Sequence, residues 1–99
     1  MNGYLFVYGT LKDPKVQKKI IGRVIDSKPD ILVGYKKSTV IIDGVIYPIL
    51  IRHQNGIIKG EILNLSQLEL EKVDLYETDT YRRIKVILKS GVEAWVYVK

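Results

Sequence analysis

Tyr4-Leu5-Phe6-Val7-Tyr8-Gly9-Thr10-Leu11 is the stretch that decides the architecture. Tyr4 to Tyr8 is an unbroken apolar and aromatic run, so both faces of the strand it forms must be covered, and such a strand belongs in the middle of a sheet. Gly9-Thr10 ends it. Asp13-Pro14 then starts a helix, with Asp13 as N-cap and Pro14 in the first helical position. That short helix would bury Val16, Ile20 and Ile21, and Gly22 would terminate it. The middle of the chain is β-rich. Ile31 to Tyr35 and Ser38 to Ile42 read as strands, as do Ile49 to Arg52 and Ile57 to Leu65. Asp43-Gly44 and Asn55-Gly56 both read as hairpin turns, because a type I′ turn needs positive φ at both central residues. Pro48 points to an edge or a kink.

The second helix has the clearest start. Ser66-Gln67-Leu68-Glu69 is a capping box, and Leu65 and Leu70 occupy the positions of a hydrophobic staple. The helix is expected to run to Tyr76 or Glu77. Thr78-Asp79-Thr80 turns the chain into an alternating strand, Tyr81 to Leu88. Ser90-Gly91 leads into a last strand, Val92 to Val98. The order β, α, several β, α, β, β predicts an α+β fold: a mixed, curled, barrel-like sheet of six or more short strands with two flanking helices. No linker or repeat interrupts residues 1–99, which read as one domain.

Composition narrows the chemistry. The 99 residues contain no cysteine and one histidine, His53. Thiol nucleophiles, disulfides, cysteine-ligated zinc and multi-histidine metal sites are therefore excluded. The 46% hydrophobic and 27% charged residues are a globular composition rather than a disordered one. Sixteen Lys and Arg against eleven Asp and Glu leave a charge of +5, which permits anionic partners without requiring them. No secretory signal is expected at Met1, and no run approaches the ~20 apolar residues of a membrane span. The missing cysteines fit the cytoplasm. Abundant Ile and Lys with scarce Met and Gln lean toward a thermophilic source.

Two places can carry chemistry. At Tyr8-Gly9-Thr10-Leu11 a central strand stops at a glycine, leaving backbone N–H groups without ladder partners. Such groups can hold a carboxylate or an oxyanion, although an ordinary strand-to-helix loop has the same sequence. On the second helix, Leu70, Val73 and Glu77 follow i, i+3, i+7 spacing and share the apolar face. A carboxylate there is partly desolvated, which raises its pKa toward the range useful for proton transfer. Alternatively Glu77 sits at a fraying helix end, paired with Arg82 or Arg83 in solvent. His53 beside a turn and the basic pairs Lys18-Lys19 and Lys36-Lys37 read as solvated features.

Both places fall inside a larger pattern. Tyr8-Gly9-Thr10-Leu11 after an apolar first strand resembles the signature of the γ-glutamyl cyclotransferase-like superfamily. Leu70-x-x-Val73-Asp74-x-Tyr76-Glu77-x-x-x-Tyr81-x-Arg83-x-x-Val86 resembles its second motif, and Gly60-Glu61 and Ala94-x-Val96-Tyr97 match further positions. The chain looks most like the small bacterial and archaeal AIG2-like proteins. Val73 replaces the usual leucine, and Thr78 stands where many relatives have glycine. Pocket-covering loops and the C-terminal extension of longer relatives are expected to be missing.

The resemblance implies a barrel-like sheet with a pocket on one side and Glu77 as catalytic acid/base. Tyr8, Gly9, Thr10, Leu11 and Tyr81 are the implied substrate-binding residues, with no metal and no cofactor. The implied reaction is intramolecular aminolysis of a γ-glutamyl amine or amino acid, releasing 5-oxoproline. The alternative is a non-catalytic small-ligand-binding or regulatory module of the same fold. The implied partner is a small γ-glutamyl substrate, with neither nucleic acid nor membrane. An exposed edge strand leaves the choice between monomer and homodimer open.

Overall fold

The computed structural model describes residues 2–99. Its first strand, β1 (Asn2–Val7), lies in the interior of a five-stranded sheet. Alternation along it sends Leu5 and Val7 to one face and Phe6 to the other, and all three are buried. The two faces have separate cores. Leu5 and Val7 pack with Leu11, Ile21, Leu70 and Val73 beneath the helices, whereas Phe6 packs with Leu32, Ile58, Ile62 and Val96 inside the curl of the sheet.

Helix α1 (Pro14–Ile20) starts as its sequence dictates, with the Asp13 carboxylate accepting from the Lys15 N–H at 2.9 Å. Gln17, on its inner face, is buried, and each of its two polar side-chain atoms has a partner. Its amide donates to Leu11 O and its carbonyl accepts from Ile25 N–H, at 2.9 and 3.0 Å. This one side chain ties down the loops on both sides of the helix.

The β-rich middle differs from its expected form. Instead of four short strands it makes two long ones, β2 (Ser27–Ile42) and β3 (Val45–Ser66). Asp43 and Gly44 have φ of 50° and 79° and form the hairpin turn between them. Asn55-Gly56 is not a turn. Val33 pairs with Ile57 and Tyr35 with Arg52, so the residues from His53 to Gly56 bulge opposite Gly34 while β3 continues on the same partner. Glycine is required at position 56 for close approach, since a Cβ there would lie 2.2 Å from Tyr35 O. Merging these segments reduces the strand count to five.

Helix α2 (Gln67–Glu77) follows, then a 3-10 turn at Thr78–Thr80, β4 (Arg82–Ile87) and β5 (Glu93–Val98). The strand order is β2-β3-β1-β5-β4, antiparallel except for the β1–β5 pair. The sheet curls into a half-barrel until its outer strand β2 meets the turn after β4. There Lys89 N–H donates to Ile31 O at 2.8 Å, and the Ser90 hydroxyl donates to Asp30 at 2.5 Å. The expected α+β class with a mixed, curled sheet and two helices is thus the fold observed. No helix among the described residues is long and apolar enough to cross a membrane.

Candidate active site

The curl leaves a cavity of about 610 Å³ at the carboxyl end of β1. The loop Tyr8-Gly9-Thr10-Leu11 forms one wall, the end of α2 with Tyr76 and Glu77 a second, and Tyr47, Pro48 and Ile49 of β3 a third. Tyr81 and Tyr97 also reach it. All six residues singled out from sequence, Tyr8, Gly9, Thr10, Leu11, Glu77 and Tyr81, therefore line one space, although the chain separates its two motifs widely.

The loop is built by local rules. β1 leaves its ladder at Val7, whose partner is Glu61. Lys12 N–H then donates to Gly9 O and Asp13 N–H to Thr10 O, both at 3.0 Å, closing a 3-10 turn over Thr10–Lys12. The first N–H groups of such a turn have no partner within it. Leu11 is buried and anchors the turn, while Gly9 and Thr10 remain exposed. Nothing lies within 4 Å of where a Gly9 Cβ would stand, so the space over that backbone is open.

Glu77 ends α2 on the same stripe as the buried Leu70 and Val73. It is half-buried, and burial pushes its carboxyl above the usual carboxylate range. Neither neighbouring arginine compensates it. Arg83 is committed to Asp74, with Nε–Oδ1 at 2.7 Å and a second nitrogen to Oδ2 at 2.9 Å, and it stacks 4.7 Å from the Trp95 ring centroid. Arg82 is exposed. Among the described residues the Glu77 carboxylate has no ion-pair partner.

Tyrosines frame this carboxylate. Tyr8 OH donates to Tyr97 O at 3.0 Å, and Tyr97 OH donates to Asp74 Oδ1 at 2.6 Å. Tyr81 OH donates to Pro48 O at 2.8 Å, not to Glu77. Burial first, and then the negative charge of Glu77, hold Tyr8 and Tyr81 above the ordinary tyrosine range, so both phenols stay protonated. The Thr10 hydroxyl meets Tyr76 OH at 3.4 Å across the mouth.

Sequence reading missed Lys37 and the β3 wall from Tyr47 to Ile49. Their signals were the Lys36-Lys37 pair and the break at Pro48. Their place on the cavity depends on how far the β2–β3 ribbon curls, which no local pattern encodes. His53, one residue of the bulge, is exposed and does not line the cavity.

The half-barrel with this pocket defines a class. The model of the family described as Gamma-glutamyl cyclotransferase, AIG2-like matches residues 5–99, and the chain belongs to that family. It is 30% identical to Protein AIG2 C of Arabidopsis thaliana, over 95% of this chain and 61% of that protein. It is 32% identical to AIG2-like protein B of the same plant, over 90% of this chain and 52% of that protein. The chain thus spans between half and two-thirds of the length of these curated relatives. A solution structure of an Arabidopsis thaliana protein superposes with a TM-score of 0.82 at 28% identity, covering 99% of this chain and 62% of that one. A gamma-glutamyl cyclotransferase superposes with a TM-score of 0.78 at 12% identity, covering 99% and 66%, a likeness of fold alone.

Proposed function

We propose that the protein is a γ-glutamyl cyclotransferase-type enzyme that releases 5-oxoproline from a γ-glutamyl amine or amino acid. The observation that carries this reading is the meeting of an uncompensated carboxylate with an open backbone loop in one cavity. Glu77 removes a proton from the free α-amine of the substrate. The amine nitrogen bonds to the γ-carbonyl carbon, closing a five-membered ring, and the carbonyl oxygen becomes an oxyanion. Breakage of the bond between that carbon and the leaving nitrogen restores the carbonyl, and Glu77 returns its proton to the departing amine. Nucleophile and electrophile belong to one molecule, so the site has only to hold the chain folded, and well-oriented intramolecular attack carries a large effective molarity.

Backbone N–H groups of Gly9, Thr10 and Leu11 are assigned to the oxyanion, an interaction worth about 3 kcal/mol per donor in acyl-transfer enzymes. Tyr8 and Tyr81 shape the pocket around the glutamyl chain, and their hydroxyls are spent on Tyr97 O and Pro48 O. The test is a panel of γ-glutamyl amines and γ-glutamyl amino acids incubated with wild type and Glu77→Gln and scored by 5-oxoproline release. Release by wild type and its loss in Glu77→Gln are expected. Equal release by the two proteins overturns the role of Glu77. Saturable binding of 5-oxoproline with no turnover of any substrate would make the domain a ligand-binding module instead.

A further inference from the structure

The cavity wall carries two charged side chains among the described residues, Glu77 and Lys37. Lys37 has no acidic partner: the described salt bridges join Arg23 to Glu69, Arg83 to Asp74 and Lys85 to Glu93. Its ammonium is nevertheless held. Nζ donates to Tyr8 O at 3.2 Å and stands 5.7 Å from the centroid of the Tyr8 ring. That ring is itself fixed through Tyr8 OH to Tyr97 O. Strand alternation sends Lys36 to the opposite face of β2, and Lys36 does not line the cavity. A lysine ammonium has three donors, and one is used here, which leaves two available beside the loop assigned to the oxyanion.

A mostly apolar and phenolic pocket with one cation and one anion suits a zwitterionic guest. We propose that Lys37 is the carboxylate-recognition residue of this cavity, so that the ligands it takes carry both an amine, facing Glu77, and a carboxylate, facing Lys37. The proposal rests on the cyclotransferase reading for its choice of substrates. The carboxylate has two sources, the α-carboxylate of the glutamyl unit or that of a leaving amino acid. In this assignment Lys37 contacts a carboxylate and not the amine or the scissile bond, so its effect belongs in binding rather than in the chemical step.

The experiment compares wild type, Lys37→Met, Lys37→Arg and Lys36→Met. Equilibrium binding of 5-oxoproline and of its carboxamide is measured beside the kinetics of a γ-glutamyl amine and a γ-glutamyl amino acid. Loss of an exposed charge-assisted hydrogen bond is worth about tenfold in affinity. If Lys37 reads the glutamyl carboxylate, Lys37→Met weakens 5-oxoproline about tenfold, leaves the carboxamide unaffected, and raises KM for both substrates at little change in kcat. If it reads the leaving group, 5-oxoproline binding is unchanged and KM rises for the γ-glutamyl amino acid alone. In either case Lys37→Arg restores most of the loss and Lys36→Met matches wild type. Unchanged 5-oxoproline binding together with unchanged KM for both substrates overturns the proposal, as does an equal effect of Lys36→Met. Wild type that binds 5-oxoproline in a Lys37-dependent way but turns over nothing would refute the cyclotransferase reading while leaving this assignment standing.

Discussion

Helix α2 carries a glutamate near each end, and the fold treats them in opposite ways. Glu69 in the first turn is surrounded by donors. It accepts from Arg23 at 2.7 and 3.0 Å and from the Ser66 N–H at 2.9 Å, and these bonds hold its carboxyl down at about 2. Glu77 in the last turn has burial without donors and is pushed up instead. The helix macrodipole acts in the same sense, favouring an anion at the first end and disfavouring one at the second. One carboxylate is stabilised as a charge and does structural work. The other is kept reluctant to ionise, which is the condition for exchanging protons.

Glu77→Gln breaks the second half of that contrast and carries the largest expected effect. Loss of a general acid/base costs about 10²–10⁴-fold in rate, read as 5-oxoproline release. Stability at neutral pH should hold or rise, because the variant no longer ionises a half-buried acid. The pH dependence separates the two glutamates. The folded state holds the Glu77 proton more tightly than the unfolded chain does. Stability therefore falls as pH rises from the ordinary glutamate value of 4.5 through the raised one, and this fall disappears in Glu77→Gln. Glu69 runs the other way: its contribution is present above 4.5 and is lost as pH falls toward about 2. Urea titrations of both proteins across acidic pH check the two slopes. The acid limb of kcat/KM should lie above 4.5 and report Glu77.

The same contrast marks how much was legible in the sequence. The first turn of α2 could be read residue by residue, because a capping box is a bond between neighbours: Ser66 Oγ accepts from Glu69 N–H at 3.2 Å, and the Glu69 carboxylate answers. The stripe Leu70, Val73, Glu77 was equally local. What surrounds Glu77 was not. Whether Arg83 would neutralise it depended on Asp74 and Trp95, and Trp95 comes from another strand. Asn55-Gly56 failed as a turn for a related reason. Its local signal equals that of Asp43-Gly44, yet β3 keeps one partner past it and absorbs the pair as a bulge. Lys37 and Tyr47 reached the cavity only because the ribbon curls. Short-range chemistry was therefore readable and the choice of long-range partner was not, even though the two family motifs already pointed to the residues on the cavity wall.

Asp74→Ala tests whether the second end is held in place as firmly as the first. Asp74 joins Arg83 to Tyr97, whose carbonyl in turn receives Tyr8 OH, so the end of α2 is tied through β5 to the loop across the cavity. Removing it strands a largely buried guanidinium and should cost about 2 kcal/mol in urea unfolding. It should also lower kcat, since Glu77 lies one helical turn further on. Ser66→Ala, at the first end, removes an N-cap and should cost about 1 kcal/mol. For a domain of this size that is a fall of roughly 4–8 °C in Tm. kcat should stay unchanged, because the defect lies at the opposite end of the helix from the cavity.

The smallest expected effect belongs to the residue just past Glu77. Thr78 has φ 60° and ψ −165°, a backbone region that only glycine enters freely. A β-branched side chain there carries a strain of order 1–3 kcal/mol. Part of it is offset, because Thr78 Oγ1 donates to Thr80 Oγ1 and accepts from Thr80 N–H, at 3.2 and 3.3 Å. Glycine would release the strain, forfeit those exposed bonds and gain entropy in the unfolded chain. The balance is a stabilisation of about 0.5–1 kcal/mol, measurable as a higher urea midpoint at unchanged slope. The threonine also lines the cavity and stiffens the link between Glu77 and Tyr81. Thr78→Gly should therefore be more stable yet slower, with the loss in kcat rather than KM if that link is what aims the carboxylate. A glycine variant that gained stability at full kcat would show that the last turn of α2 is positioned by Asp74 alone.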